Sequence, residues 1–310
     1  MDAIAKIRER ARKNIKSIVL PEYDDPRVIE AVSIINQEKI AKVTLLTPEM
    51  VDKADLERYI QQYFEANKGK DLDIETVRKL FSKDTLYYSA MMAAEGKFDG
   101  LVAGASHTTA DVIRSTMRCI GIDERITIIS SCFIMEVPNY PYSDNGTFVY
   151  ADCGVIPDPN ARQLSRIALS ASELASKVLG LTARIAFLSY STKGSAKTKS
   201  ADKINEALAI LKEISPDTLA DGELQVDAAI VPEVAKLKCP DSPVAGKANV
   251  LIFPNLESGN IGYKLTQRMS GARALGPLLL GLNKPASDLS RGCIPEDVVD
   301  CVAVTAIRAQ

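Results

Sequence analysis

The stretch TLYYSAMMAAEGKFDGLVAGASHTTADVIR, residues 85–114, decides the fold class. Thr85 to Ala94 has helical character and closes at Gly96, a residue that tolerates the left-handed backbone at a helix end. Asp99 to Ala103 follows as a short strand, and Gly104 stops it at once. Thr108 with Asp111 has roughly the capping-box spacing, so a further helix is expected to begin there with free backbone N–H groups. Short β-branched runs alternating with segments of helical period describe a largely parallel sheet covered by helices.

Outward from this unit the alternation continues. Ser17 to Leu20 and Lys42 to Leu46 read as strands, ended by Pro21 and by Thr47-Pro48. After Arg125 the texture changes. Thr127 to Met135 is apolar, Asn139 to Gly146 is dense in turn formers, and Thr147 to Ala151 reads as the return strand of a hairpin. Helix is expected from about Asn160 to Leu179 and from about Ala201 to Ile214, and again near Asn260. Strands are expected at Arg184 to Ser189 and Val250 to Phe253. Pro295 to Ile307 repeats apolar residues at helical spacing. A domain boundary near 125 follows from the change of texture.

The whole chain has 310 residues, long enough for two domains, and an apolar fraction of 46% that fills full-sized cores. Lys plus Arg number 38 against 40 for Asp plus Glu. That balance gives no electrostatic footprint for nucleic acid, so any bound anion needs a local cluster of positive groups. The start, Met1-Asp2-Ala3-Ile4-Ala5-Lys6-Ile7-Arg8, lacks the apolar core of a signal peptide, and no apolar run approaches a bilayer span. A cytoplasmic location with no membrane partner is the expectation. The six cysteines include no CxxC pair, so free thiols are expected rather than a zinc site or a disulfide framework.

Four loops stand at strand ends or helix starts, where open α/β sheets bind ligands. In Gly104 to Arg114, one reading is an anion site made from a helix N-terminus and Arg114. The other is a glycine turn, a cap and a solvated arginine. His107, the only histidine, fits a hydrogen-bonded structural residue better than a catalytic one. Ser189 to Lys197 is a small, basic loop between strand and helix, suited to cradling phosphate, although it is no Walker A motif. Asp221, Glu223 and Asp227 invite a metal reading, but a turn and a solvated first helical turn suit them better. In Asp288 to Asp297, Pro295 belongs in the first turn of the last helix, and Asp297 would stabilise that helix start by about 0.3–1 kcal/mol.

Taken together, five stretches resemble the phosphate acetyltransferases (phosphotransacetylases) of the phosphate acetyl/butyryltransferase family. They are LSYSTKGSAK at 188–197, DGELQVDAAIVP at 221–232, SPVAGKANV at 242–250, SGNIGYK at 258–264 and DLSRGC at 288–293. The resemblance implies two α/β domains like those of the isocitrate dehydrogenase superfamily, 1–125 plus 278–310 and 126–277, with the active site in the cleft between them. It implies a homodimer and an acyltransferase reaction, acetyl-CoA plus phosphate giving acetyl phosphate plus CoA, reversibly. Coenzyme A is then a substrate, and neither cofactor nor metal is expected. By motif match Ser290, Arg291 and Asp297 fall on proposed catalytic positions, and Arg114 and Arg268 on functional arginines. Ser191, Lys193, Gly194 and Ser195 are the further substrate-binding candidates. One departure stands in the tract Tyr63 to Gly69. Glu65 occupies a place where the family often has arginine, so Lys68 or Lys70 substitutes or the ligand is held differently.

The chemistry constrains these roles. A thiol near pKa 8.5 costs about 2 kcal/mol to ionise at neutral pH. An ordinary aspartate near 3.9 is mismatched to it by about 4.6 units. Asp297 therefore needs burial to act as base, or else it orients. Ser290 suits donation to the oxyanion of a tetrahedral adduct, and paired arginines suit a phosphate dianion.

Overall fold

Apolar β-branched residues at the centres of the short strands are what pull this chain into sheets. In the computed structural model, which describes residues 3–69 and 72–310 (Ser143 by its backbone), two compact units form, 3–123 with 282–310 and 124–281. The expectation for the first two residues and the Lys70 assignment lie outside the described residues.

The first unit runs α1 (Ala3–Ala11), β1 (Ser17–Leu20), α2 (Pro26–Glu38), β2 (Lys42–Leu45), α3 (Lys53–Ala66), α4 (Ile74–Lys83), α5 (Leu86–Ala94), β3 (Gly100–Ala103) and α6 (Thr109–Cys119). The second follows with β4 (Ser130–Glu136), β5 (Thr147–Ala151), α7 (Ala161–Leu174), β6 (Ile185–Leu188), α8 (Lys199–Ile214), β7 (Ala220–Leu224), α9 (Val226–Ile230), α10 (Pro232–Lys238), β8 (Val250–Ile252), α11 (Leu256–Ser270) and β9 (Arg273–Leu280). The chain then re-enters the first unit with β10 (Ala286–Asp288) and α12 (Pro295–Arg308).

In the first unit β1 lies between β2 and β3, and β3 pairs with β10, every pairing parallel. Parallel strands are buried on both faces, which is why β3 reads as a short apolar run. The helix α12 has Val298, Val299, Val302, Ala303 and Ala306 fully buried and packs on α1, α2 and β3, so it is a core element. The helix α2 starts well for a local reason: Asp25 caps it, accepting the Arg27 N–H at 2.9 Å, and Pro26 sits at the first turn.

In the second unit β4 is antiparallel to both β5 and β9, while β5, β8, β6 and β7 pair in parallel in that order. The hairpin read at 127–151 is therefore present. The reading of Asp221 to Asp227 as a turn and a solvated helical turn is corrected for Asp221 and Glu223, which lie in β7, whose five residues are all buried, while Asp227, half-buried, does stand in the first turn of α9. Acidic residues survive there because each finds donors in the neighbouring loop, as described below. Strands β9 and β10 carry no alternation strong enough to be read from sequence, and α3 and α4 also escaped the sequence reading. All six cysteines are free thiols.

Candidate functional site

Four backbone residues after β3 turn sharply, and their N–H groups converge on one side chain. Glu22, 3% exposed in the loop after β1, accepts the N–H groups of Gly104 (3.0 Å), Ala105 (2.8 Å), Ser106 (2.8 Å) and His107 (2.9 Å). It also takes the Ser106 hydroxyl at 3.2 Å and the His107 Nδ1 at 2.8 Å. Burial alone would push this carboxyl up; the His107 contact and the backbone donors outweigh it and hold the group at about 2. His107 is pulled down by burial, but Asp84, with its Oδ2 3.3 Å from Nε2, and Glu22 drive it up to about 9. The second reading of Gly104 to Arg114 is the one seen, a glycine turn, a cap and an exposed arginine, and the loop's N–H groups hold the protein's own carboxylate rather than forming a site with Arg114. His107 has the hydrogen-bonded role expected of it.

Thr108 caps α6 through the Asp111 N–H at 3.2 Å, as the spacing indicated. Arg114, exposed on the same helix, pairs with Asp111 at 3.2 Å. Behind the loop, Asp288 ends β10 at 0% exposure, and neither carboxyl oxygen has a hydrogen-bond partner. Burial pushes its pKa up to about 7, with a further rise from Glu22.

The segment after β10 is a tight turn. The Ser290 Oγ accepts the Gly292 N–H at 3.2 Å, and the Cys293 N–H reaches the Ser290 carbonyl at 2.8 Å. Ser290 and Arg291 are exposed, and Cys293 is buried. Asp297 is half-buried and accepts the Ile294 N–H at 3.0 Å, which fixes the start of α12. A residue absent from the sequence reading holds this turn. The Arg27 guanidinium donates to the carbonyls of Arg291 (2.7 Å), Cys293 (3.3 Å) and Ala105 (2.7 Å) while paired with Asp25 at 2.7 Å. It joins the Ser290 turn to the Gly104 loop. The Asp25-Pro26 helix start was the available signal, since it places residue 27 in a first helical turn.

In the second unit the loop after β6 repeats the design. Glu223 accepts the Gly194 N–H at 2.6 Å and the Ser191 hydroxyl at 2.9 Å. Burial would raise this carboxyl, and the Gly194 and Ser191 donors bring it below the usual range. The Lys193 ammonium pairs with Asp221 and donates to the Gly222 carbonyl at 3.0 Å. The Ser195 Oγ accepts the Thr192 N–H at 3.0 Å. Ser191, Lys193, Gly194 and Ser195 therefore sit together, with Ser191 and Gly194 turned onto Glu223. Arg268 is exposed near the end of α11. In the departing tract, Lys68 pairs with Glu65 at 2.6 Å on an exposed helix end. Among the described residues no three of His, Cys, Asp and Glu converge in a way that could hold a metal ion.

Comparison with known proteins gives this geometry a family. The model of the phosphate acetyl/butaryl transferase family matches residues 2–306. A phosphate acetyltransferase of Acetivibrio thermocellus is 47% identical, with 100% of this chain and 99% of that protein covered. One from Thermoanaerobacterium thermosaccharolyticum is 45% identical, with both chains covered in full. A solved phosphotransacetylase from Streptococcus pyogenes superposes with a TM-score of 0.90 at 37% identity, covering 99% of this chain and 98% of its own. The chain belongs to the phosphate acetyl/butaryl transferase family of acyltransferases.

Proposed function

We propose that the chain is a phosphate acetyltransferase, moving an acetyl group between the sulfur of coenzyme A and inorganic phosphate. The observation that carries the reading is the family match from residue 2 to residue 306, together with full-length relatives of that activity. Acetyl-CoA, CoA, phosphate and acetyl phosphate are the substrates and products, and CoA is consumed and released rather than retained as a cofactor.

In this reading the exposed Ser290 hydroxyl donates to the oxyanion of the tetrahedral adduct. Arg291, Arg114 and Arg268 hold phosphate or the acyl phosphate, since a guanidinium donates in a planar, permanently charged fork. Lys193, Gly194, Ser195 and Ser191 form a second polar loop for the anionic parts of CoA. Asp297, half-buried and engaged by the Ile294 N–H, suits orienting the turn better than accepting a thiol proton. These groups supply the charge stabilisation without a metal. We further propose a cytoplasmic location and two copies per active particle, the pairing supported by Ile261, Leu265 and Met269, exposed at 57%, 54% and 82% along one stripe of α11.

The test is release of CoA thiol from acetyl-CoA with and without phosphate, with chelator present. Phosphate-dependent release supports the activity; binding of acetyl-CoA without release would make the chain a regulatory binding domain instead. Initial rates with acetyl-, propionyl- and butyryl-CoA then separate acetyl transfer from transfer of longer chains.

A further inference from the structure

Arg27 stands where helix chemistry does not favour it. A basic side chain in the first turn of α2 opposes the helix dipole, and that turn holds no acidic residue. Its guanidinium turns back instead and directs every donor off the helix. Nε and one terminal nitrogen fork onto the Asp25 carboxylate at 3.0 and 2.7 Å. The same terminal nitrogen donates to the Ala105 carbonyl at 2.7 Å. The other reaches the carbonyls of Arg291 at 2.7 Å and Cys293 at 3.3 Å.

The turn it reaches has little else to hold it. Ser290, Arg291 and Gly292 are exposed, and a Cβ added at Gly292 would find nothing nearer than the Ser290 Oγ at 3.7 Å. Two hydrogen bonds close the turn on itself. The Gly292 N–H donates to the Ser290 Oγ at 3.2 Å, and the Cys293 N–H to the Ser290 carbonyl at 2.8 Å. The carbonyl of Arg291 and the N–H of Gly292 belong to one planar peptide, so they point in opposite directions and fixing one fixes the other. A continuous line results: guanidinium, Arg291 carbonyl, Gly292 N–H, Ser290 Oγ. A charged donor on the carbonyl polarises the peptide and strengthens its N–H, because hydrogen bonds in series reinforce one another. The Ser290 oxygen accepts from behind and keeps its own O–H free to donate outward.

We infer that Arg27 is a positioning residue for acyl transfer, acting through the 291–292 peptide to aim the Ser290 hydroxyl at the oxyanion. The inference rests on the acyl-transfer reading above, in which Ser290 donates to that oxyanion. Arg27 itself is assigned no contact with substrate. Arginine suits the place because one planar fork must serve three carbonyls and a carboxylate together, whereas a lysine ammonium is a single point with three donors. Asp25, with its side chain 8% exposed, holds the fork in its orientation. The bond to Ala105 ties the turn to the loop that encloses Glu22, so an exposed turn is anchored on a buried part of the unit.

The experiment measures CoA-dependent phosphate release from acetyl phosphate in the wild type, Arg27→Met, Arg27→Lys, Asp25→Asn and Ser290→Ala. Arg27→Met and Asp25→Asn are also each combined with Ser290→Ala. For Arg27→Met kcat should fall about 10²-fold, as for a misplacement of about 1 Å, with KM for both substrates little changed. Arg27→Lys should recover little of that loss. Asparagine keeps the cap of α2 and gives up only the charge, so Asp25→Asn should fold and lower kcat about tenfold, the lower end for a hydrogen bond to a charged group. In the Ser290→Ala background both changes should cost less than about twofold, the scatter of independent pairs, because the hydroxyl they aim is gone. A merely structural arginine would lose the same factor in both backgrounds. Losses that multiply with Ser290→Ala, a loss confined to KM, or wild-type kcat in Arg27→Met overturns the inference. Should Arg27→Met fail to fold, the Asp25→Asn cycle decides by the same criteria. A wild type that releases no phosphate, or Ser290→Ala with wild-type kcat, would sink the parent reading, and the inference with it.

Discussion

The loops after β3 and after β6 solve one problem with different countercharges. Each is a small-residue turn at the end of a parallel strand, and each donates to a buried glutamate: four N–H groups to Glu22 in one unit, the Gly194 N–H and the Ser191 hydroxyl to Glu223 in the other. A carboxylate in such a nest is stabilised by converging dipoles, as a bound phosphate would be. Beside Glu22 stands an imidazole, His107, itself braced by Asp84. Beside Glu223 stands an ammonium, Lys193, paired with Asp221 rather than with Glu223 itself. The first loop consequently binds its carboxylate with six donors and leaves Asp288 with none, while the second spreads its donors over two acids. The lesson is that a phosphate-cradle sequence can be filled from within, and the filling residue lies far away along the chain.

Replacement of the two glutamates should separate the loops most sharply. Glu22→Gln removes the charge on which four backbone N–H groups and His107 converge, and it leaves the imidazolium facing Asp84 alone. Breaking one partner of a buried charge pair costs about 3–5 kcal/mol. Glu223→Gln gives up charge-assisted hydrogen bonds from Gly194 and Ser191, a loss of about 1.5–3 kcal/mol. Urea unfolding, with amide exchange at Gly104 to His107 and at Thr192 to Gly194 to localise the loss, measures both. Equal losses would mean that the donor count does not set the difference.

The imidazole makes the first loop the pH-sensitive one. Glu22 is held at about 2, below the ordinary carboxylate value, so its contribution is present above that value and is lost as pH falls through 2. His107 is raised to about 9, so its contribution is complete below about 6.5 and is lost as pH rises through 9. The two limbs share the Glu22–His107 contact, which is counted once; the rise of His107, to which Asp84 also contributes, corresponds to about 3 kcal/mol. Melting curves of wild type and His107→Gln from pH 6.5 to 10 test this. The wild type should lose stability over that range and the variant should stay nearly level; parallel curves would refute the assignment.

Glycine substitution probes the space behind each turn. At Gly104, φ is +112°, and a Cβ would meet the Leu289 N at 2.5 Å as well as the Asp288 Oδ1. Gly104→Ala should cost about 1–2 kcal/mol for the backbone and about 1–3 kcal/mol more for overpacking. At Gly194, φ is +82° with nothing within 4 Å of the added carbon, so only the backbone cost of about 1–2 kcal/mol applies. Thermal melts of the two variants check the order, and a larger loss at Gly194 would reverse the account of what lies beneath each loop.

These contrasts show what the sequence could disclose. The strands β1, β3, β6 and β8, the hairpin β4–β5 and the helices α5, α7, α8 and α12 are local patterns, set by apolar period and by punctuation at Gly96, Gly104 and Pro295. The residues Ser290, Arg291 and Asp297 share one short segment, so a motif could point to them. Glu22 and Arg27 were not legible as site residues because their partners lie about 80 and 260 positions away; the Asp25-Pro26 helix start places Arg27 in a first turn but does not show what its side chain reaches. Strand β7 was misread for a related reason: Asp221 and Glu223 look solvent-seeking until Lys193, Ser242, Gly194 and Ser191 are placed around them. Acidic residues in a buried strand are intelligible only with their tertiary donors in view.

The smallest expected stability effect belongs to Lys193→Met, and it tests whether the second loop does more than hold itself together. The Lys193 side chain is 40% exposed, so its pair with Asp221 is screened and should contribute at most about 1 kcal/mol. Asp221 also keeps the Ser242 hydroxyl and the Gly222 N–H, which limits the damage further. If the loop only stabilises β7, melting and turnover should both stay close to wild type. If Lys193 also meets an anionic part of CoA, as proposed, KM for CoA should rise several-fold while kcat and the melting temperature hardly move. A salt titration of KM adds discrimination, since an ammonium–phosphate contact weakens with ionic strength and the methionine variant should have lost that dependence. Unchanged KM in the variant would confine Lys193 to its pairing with Asp221. The contrast between the loops would then be one of countercharge alone.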